Sequence, residues 1–223
     1  MFIANLIRII FTCVALVCGI MVALFAHADI FSLDPRATYL RVNSEASFDA
    51  SAIDLSNLSF AVHAGDLLKL QELGDWQAGE PVHFTDTAKD TIAVFSSSST
   101  LLNSFILNRV PGAIAAGIPF ITVPTFFGDL QTDIPQDFLV ARTVNPITSV
   151  VVRVPAGAKF LFVAAHDSHY STNQDPDSDY KVSITPFTAV PEPSIHQLLT
   201  LGLAVSLSVF AKRRLMKRPH PPS

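Results

Sequence analysis

The residues best suited to chemistry in this sequence are oxygen-bearing side chains that recur at alternate positions around residue 175. They are preceded by one further carboxylate at the end of a predicted strand. The set comprises Asp167, Asn173, Asp175, Asp177 and Asp179. Calcium binds six to eight oxygen atoms, and alternating Asp and Asn side chains in a tight loop can bring several of them to one point. A divalent cation would also offset the repulsion between carboxylates that lie so close in sequence. The pattern therefore predicts a calcium site.

Two other interpretations of the same stretch remain open. The first is a solvated acidic hairpin tip stabilised by Asx turns, with no metal. The second is a zinc or other transition-metal site formed by His166, His169 and Asp167. Two histidines three residues apart suit a helix, whereas this stretch leaves a strand, so the second interpretation is the weaker one.

The motifs of the common enzyme classes do not occur in the sequence. The serine-rich run 96–100 lacks the Gly-x-Ser-x-Gly pattern of a nucleophile elbow. A phosphate-binding glycine-rich loop and a two-histidine zinc helix are also missing. We therefore expect a protein that is not an enzyme.

Residues 29–190 contain 18 acidic and nine basic side chains, which argues against a nucleic-acid partner.

Short runs of alternating apolar and polar residues, bounded by Gly, Pro and Asp, dominate the central region. Such runs predict half-buried strands, and helices do not alternate with them. The sequence thus predicts an all-β domain over residues 29–190, built as an antiparallel β-sandwich. Residues 105–127 are apolar but interrupted by Pro and Gly, and are expected to form a loop-rich crossing over the core. The predicted strands are residues 58–62, 67–70, 92–95, 149–154, 160–164 and 180–184.

The first 28 residues have the features of a secretory signal peptide. Arg8 precedes an uncharged apolar run over residues 9–26, and Ala26-His27-Ala28 supplies the small-x-small cleavage pattern. An uncleaved N-terminal anchor is the alternative, because the run is long for a signal peptide. Both cysteines, Cys13 and Cys18, lie in this segment, so the mature chain would contain no cysteine.

The end of the chain carries a short motif, an apolar segment and a basic cluster, in that order. The motif is at 191–194, the predicted transmembrane helix at 195–211, and the basic cluster at 212–218. Seventeen helical residues span about 25 Å, somewhat short of the hydrocarbon core of about 30 Å. The basic cluster would remain in the cytoplasm, which places the domain on the outside of the membrane.

This arrangement, opposite a signal peptide, resembles the PEP-CTERM sorting signal. The resemblance rests on Pro191, Glu192 and Pro193 and on the cluster that begins Lys212-Arg213-Arg214. It implies recognition by a membrane peptidase of the exosortase type and delivery to the cell surface or the extracellular matrix. The implied partners are therefore the membrane and the sorting peptidase.

A second resemblance concerns the central domain. Residues 64–70 with Gly74-Asp75-Trp76, and residues 160–170 with 180–184, look like the opening and closing segments of bacterial galactose-binding-like lectin domains. The resemblance implies a jelly-roll sandwich in which the loop before the last strand holds calcium, and the calcium holds the hydroxyl groups of a sugar. It transfers to Asp167 and Asn173 of the ligand set. The expected function is calcium-dependent binding of polysaccharide, and the alternative is a purely structural envelope or matrix protein with no metal or sugar site.

Overall fold

The computed structural model describes residues 27–42, 47–79, 90–117, 126–127, 130–132, 134–142, 147–167 and 169–188. Residues 1–26 of the predicted signal peptide, and all of the predicted sorting signal, lie outside these ranges. The described part is mostly β-strand, with single 3-10 turns at Leu55–Asn57 and Tyr170–Thr172. Its strands are β1 (Asp29–Ser32), β2 (Ala37–Thr38), β3 (Phe48–Asp49), β4 (Ile53–Asp54), β5 (Leu67–Leu73), β6 (Asp90–Ser96), β7 (Ala113–Ile114), β8 (Phe126–Phe127), β9 (Leu130–Gln131), β10 (Phe138–Ala141), β11 (Ser149–Arg153), β12 (Phe160–His166) and β13 (Lys181–Pro186).

Most of these strands belong to two antiparallel sheets. Sheet I has the order β1-β13-β5-β11, and sheet II has the order β10-β6-β12-β4, with β7 added to β6. The longest pairings are β6 with β12 over seven residue pairs and β5 with β13 over six. Two-residue pairings join β2 to β3 in parallel and β8 to β9 antiparallel. The prediction of an all-β domain with antiparallel sheets is confirmed.

The two sheets contribute to one apolar cluster. Residues at every second position of a strand take part, because successive side chains of a strand point to opposite faces. Sheet I contributes Leu68, Leu70, Val152, Val182 and Ile184, and sheet II contributes Ile53, Ala93, Phe95, Phe138, Val140, Leu161 and Val163.

Sheet II is also buried on its other face. All seven residues of β6 and all four of β10 are buried. The side chains between those of the first cluster form a second cluster with residues from irregular segments. Its members from sheet II are Ile92, Val94, Leu139, Phe162 and Ala164, and they pack against Tyr39, Leu40, Val110 and Ile134. The central strands therefore need apolar residues on both sides.

A buried arginine holds the irregular layer together. Arg109 is 1% exposed. Its Nη1 donates to the carbonyl oxygens of Thr38 (3.1 Å) and Leu40 (2.9 Å), and its Nε donates to that of Leu102 (3.2 Å). Its Nη2 pairs with the carboxylate of Asp49. One side chain thus donates to the carbonyl groups of two separate segments, residues 38–40 and residue 102, and pairs with a third at Asp49.

Five of the six predicted strands are present, and the prediction of a strand at residues 58–62 is wrong. Leu58 is buried, and Phe60 and Val62 pack against the first cluster, so the alternation reports burial correctly. The segment makes no strand pairing, however, and the backbone N–H of Ser59 donates to the carboxylate of Asp29 instead. The alternating pattern of residues 58–62 therefore predicted which side chains face the core, but it did not predict whether the backbone pairs with another strand.

The chain divides into two compact units, residues 1–187 and residues 188–223. Within the described ranges, no helix is long and apolar enough to span a membrane. The predicted membrane helix at 195–211 lies outside those ranges.

We expect Arg109→Ala to destabilise the domain of residues 29–188 by about 3 kcal/mol or more, because it leaves buried groups without partners. That loss corresponds to a melting temperature lower by roughly 6–12 °C in a domain of this size. The melting temperature of Arg109→Lys should lie between those of the wild type and Arg109→Ala, since an ammonium group cannot reproduce the several donors of the guanidinium. Arg153→Ala is the matched control, because Arg153 is exposed and donates to a single carbonyl, that of Gly65. Equal losses in Arg109→Ala and Arg153→Ala on thermal unfolding would contradict the assignment.

Candidate metal site and adjoining cavity

Two loops that are about a hundred residues apart in sequence meet at one end of the two central strands of sheet I, β5 and β13. They are residues 74–79, after β5, and residues 173–180, before β13. Because β5 and β13 are antiparallel and Leu73 is opposite Lys181, the end of one strand lies beside the start of the other. The backbones of Gln77 and Gln174 exchange two hydrogen bonds, of 2.8 and 2.9 Å. The sheet register therefore positions both loops.

Three carboxylates converge where these loops meet. One oxygen from each of Asp75, Asp177 and Asp179 lies within 4.8 Å of the other two. Asp75 and Asp177 are exposed, and Asp179 is half-buried. Carboxylate oxygens at this spacing, with room for water, are the ligands that calcium prefers. We refer to these three residues as the aspartate triad.

Backbone geometry makes the close approach possible. Gly74 has a φ of +68°, and a Cβ there would overlap the carboxylate and carbonyl of Asp179. The backbone N–H of Asp75 donates to Oδ1 of Asp179 at 3.0 Å. Ser178, between Asp177 and Asp179, has a φ of 60°, in the left-handed region that non-glycine residues seldom adopt.

Asp175 has a different role from its neighbours in the loop. Its Oδ1 accepts from the backbone N–H of Asp179, and its Oδ2 accepts from that of Tyr180, both at 3.2 Å. The side chain thus closes the turn in the manner of an Asx motif. Among the described residues, Asp175 is not part of the triad.

Asn173 is not one of the triad residues but lines a cavity beside them. The side chain is 2% exposed, and its Nδ2 donates to the carbonyl oxygen of Pro35 at 3.0 Å. Its Oδ1 is buried and accepts no hydrogen bond from the described residues. A buried acceptor without a donor is uncommon in native proteins and indicates a bound water or ligand. The cavity has a volume of about 480 Å³ and is lined by Ser32–Arg36 and by residues 173–176, 178 and 180.

The remaining predicted ligands are not brought to the triad. Asp167 follows directly after β12 and is half-buried. His169 lies beside Ser171, with its Nε2 3.2 Å from the Ser171 hydroxyl. Within the described ranges, His166, Asp167 and His169 do not form a group of three ligand atoms within 4.8 Å. The role of Asp167 in binding calcium stays a prediction.

Asp75 is the residue that the sequence pattern missed. The sequence does place Gly74-Asp75 at the end of a predicted strand, and pairing that strand with the last one would have brought Asp75 to the acidic loop. Trp76, the next residue, is 1% exposed and packs against Ala165 and Tyr180, with ring centroids of Trp76 and Tyr180 6.4 Å apart. Trp76 therefore belongs to the core and is not a surface for stacking sugars.

Two pKa shifts describe the charge balance of the acidic loop. Partial desolvation, followed by the repulsion of Asp179 and Asp175, raises the pKa of Asp177 above its ordinary value. Burial raises the pKa of Tyr180, so its phenol stays neutral, with its oxygen 2.9 Å from the hydroxyl oxygen of Thr91. The loop therefore ends on a neutral, buried side chain, while the exposed Asp177 is repelled by the half-buried Asp175 and Asp179.

The chain matches no protein-family model, no curated protein and no solved structure.

Because the pKa of Asp177 is raised on folding, the domain should lose stability as the pH rises through the ordinary aspartate pKa and then the raised one. Asp177→Asn should remove this effect. We expect its melting temperature in chelator at pH 7 to exceed that of the wild type, and the gain to vanish below about pH 3.5, where most Asp side chains are protonated.

Asp66→Asn is the control for this experiment, since it changes the net charge equally. Asp66 is exposed and accepts a hydrogen bond from the backbone N–H of His63, so its substitution should give no gain. A lower melting temperature for Asp177→Asn than for the wild type at pH 7 would show that the Asp177 charge is stabilising without metal.

Proposed function

We propose that this is an exported cell-surface or extracellular-matrix protein whose domain binds carbohydrate with the help of calcium. The observation that carries the proposal is the aspartate triad, in which Asp75 joins Asp177 and Asp179 from a distant part of the sequence. Two of these carboxylates are exposed, and the third, that of Asp179, accepts a backbone hydrogen bond from Asp75 N–H, so a divalent cation would offset a repulsion that the fold leaves in place.

The proposed fold is a β-sandwich of the galactose-binding-like, jelly-roll type. Two features support it. Sheets I and II contribute to a single apolar cluster. The chain also alternates between the sheets, with β10 and β12 in sheet II and β11 and β13 in sheet I. Alternation of this kind is expected when two sheets pack face to face and short loops connect them.

The ligand chemistry points to a hydroxyl-rich molecule. The cavity beside the triad is bordered by hydrogen-bond acceptors, namely the carboxylate of Asp175, that of Asp34, which pairs with Arg36, and the buried Oδ1 of Asn173. Its volume of about 480 Å³ is within the usual range for small-molecule sites, roughly 300–1,000 Å³. A sugar hydroxyl can donate to such acceptors and can also coordinate calcium through its oxygen.

The proposed location rests on the ends of the chain. A signal peptide at 1–28 and a sorting signal at 191–218 would export the domain and present it to an exosortase-type peptidase at the membrane. The resemblance of Pro191-Glu192-Pro193, the apolar segment and the basic cluster to a PEP-CTERM tail supports this destination.

A structural matrix protein without a metal or sugar site is the second candidate. It is favoured by the hydrogen bonds of Asp175, which hold the acidic turn closed with no cation required. In that case the triad would be a solvated surface feature, and the cavity would hold water.

The calcium proposal predicts a higher melting temperature for the exported domain in calcium than in chelator. A ligand at a hundredfold excess over its Kd stabilises the folded state by about 2.7 kcal/mol, which is roughly 5–11 °C for a domain of this size. Asp177→Asn should remove most of the shift, because it removes one of three coordinating carboxylates.

One control variant and two ligand variants test where the ion binds. Asp66→Asn should leave the shift intact, and Asp167→Ala should abolish it only if Asp167 also coordinates the ion. A shift seen with zinc alone, and lost in His166→Ala, would place the metal at the histidines. No shift in the wild-type domain would favour the structural candidate.

Carbohydrate binding is tested with a glycan array probed in calcium and in chelator. We expect binding that disappears in chelator and in Asp177→Asn. A calcium shift with no retained glycan would separate the metal site from the proposed sugar site and leave only the metal.

The sorting proposal predicts that deletion of residues 191–218 diverts the protein to the periplasm or medium of a host that has the sorting peptidase. A matched variant replaces Pro191, Glu192 and Pro193 by alanine and keeps the apolar segment, so it should remain in the membrane unprocessed. Localisation of the deleted protein identical to that of the full chain, measured by fractionation, would overturn the assignment.

A further inference from the structure

The loop between β6 and β7 exposes three large apolar side chains. Leu102 is 40% exposed, Phe105 is 54% exposed and Ile106 is 45% exposed. We call these three residues the apolar loop tip. Residues 97–108 around it contain only apolar, Ser, Thr and Asn side chains and no charged one. The rest of the domain is strongly acidic, so this uncharged, apolar projection differs from its surroundings.

The loop is held in a defined conformation. The backbone N–H of Leu102 donates to the carbonyl oxygen of Arg109 at 2.8 Å. The backbone N–H of Val42 donates to the carbonyl oxygen of Ser104, also at 2.8 Å. Asn103 closes the turn, since its Oδ1 accepts from Phe105 N–H and its carbonyl oxygen accepts from Ile106 N–H, both at 3.0 Å.

The base of the loop is part of the second apolar cluster. Leu101 and Val110, on either side of the tip, both pack in it. The three tip residues could have joined their neighbours in that cluster, but they are presented to the outside instead. Because apolar surface in water is unfavourable by about 25 cal/mol per Å², an ordered loop of this kind indicates a surface that is covered in use.

We propose that the apolar loop tip inserts into the outer surface of the membrane to which the tail would anchor the domain. This inference rests on the anchored tail of the proposed function. In the sequence, only residues 189–194 separate the described domain from the apolar segment at 195–211. Six residues reach at most about 20 Å, so lipid would be present at a high effective concentration.

The chemistry of the loop favours lipid over a protein partner. Exposed Phe, Leu and Ile without adjacent acidic groups can enter the interface of a bilayer, where Ser and Asn remain among the headgroups. Arg, Tyr and Trp, the residues that anchor most protein interfaces, are not exposed on this loop, since Arg109 is buried. The domain carries 18 acidic and nine basic residues, so neutral lipid headgroups are the expected target.

The test uses the full mature chain, residues 29–223, in neutral phosphatidylcholine vesicles with chelator present. The mature chain contains no cysteine, so a single Ser104→Cys carries an environment-sensitive fluorophore next to the tip. Ser59→Cys, at an exposed position outside the loop, is the control, whereas Ser104 is half-buried. We expect nitroxide-labelled lipids to quench the probe at 104 several times more strongly than the probe at 59.

A second variant tests the side chains themselves. Phe105→Ser with Ile106→Ser, in the Ser104→Cys background, should reduce the quenching to the level of the control. For the tail-deleted chain, residues 29–190, each of these substitutions should weaken flotation with vesicles by about tenfold, the effect of losing about 1.4 kcal/mol of apolar transfer. Unchanged thermal unfolding of the double variant would show that the fold is retained.

The possible failures can be told apart. A mature chain that floats with vesicles but shows equal quenching at 104 and 59 would overturn the loop proposal and leave the anchor intact. A mature chain that does not float would overturn the anchor of the proposed function and this inference with it. Formation of a disulfide between two copies through Cys at position 104, without lipid quenching, would show that a second copy of the chain covers the tip.

Discussion

Burial of sheet II on both faces is the constraint on which the rest of this structure depends. Residues on one face share an apolar cluster with residues of sheet I, whereas the other face packs against irregular segments that include Tyr39, Leu40 and Val110. Irregular backbone cannot satisfy its own carbonyl groups as a strand does, so a cover of this kind needs internal donors. Arg109 supplies them from a single side chain. Its partners lie at residues 38–49 and at residue 102, which makes the guanidinium the link between separate segments of this irregular cover.

The candidate site follows from sheet I by a different route. The antiparallel register of β5 and β13 determines that the loop after one strand and the loop before the other lie side by side. Gly74 then allows the backbones to approach closely enough for Asp75 to meet Asp179. A site supported by the ends of two paired strands is held more rigidly than one built within a single loop. The same register places the cavity at Asn173 next to the triad.

The parts that the sequence could predict are those in which local pattern and tertiary environment agree. The alternation of apolar and polar residues correctly predicted β5, β6, β11, β12 and β13, since each of these strands has at least one face in the core. The pattern failed at residues 58–62, where the apolar side chains pack on the core but the backbone pairs with no strand. It also missed Asp75, because joining Asp75 to the acidic loop requires knowledge of a pairing across a hundred residues. The acidic loop itself was correctly identified as a dense group of carboxylates, but the division of roles among Asn173, Asp175 and Asp177 depends on hydrogen bonds that spacing does not reveal.

That division of roles determines what a cation would do here. Asp175 already binds two backbone N–H groups, and Tyr180 fixes the end of the loop in the core. The turn is thus formed without metal, and of its remaining acids Asp179 accepts one hydrogen bond, from Asp75 N–H, which leaves the repulsion between the triad carboxylates in place. Calcium would therefore act chiefly on the contact between the two loops, because Asp75 belongs to one and Asp177 and Asp179 to the other. One loop follows β5 and the other precedes β13, so the ion would join the two central strands of sheet I at the end where their pairing stops. The stabilisation would therefore appear in global unfolding rather than in local ordering of the turn.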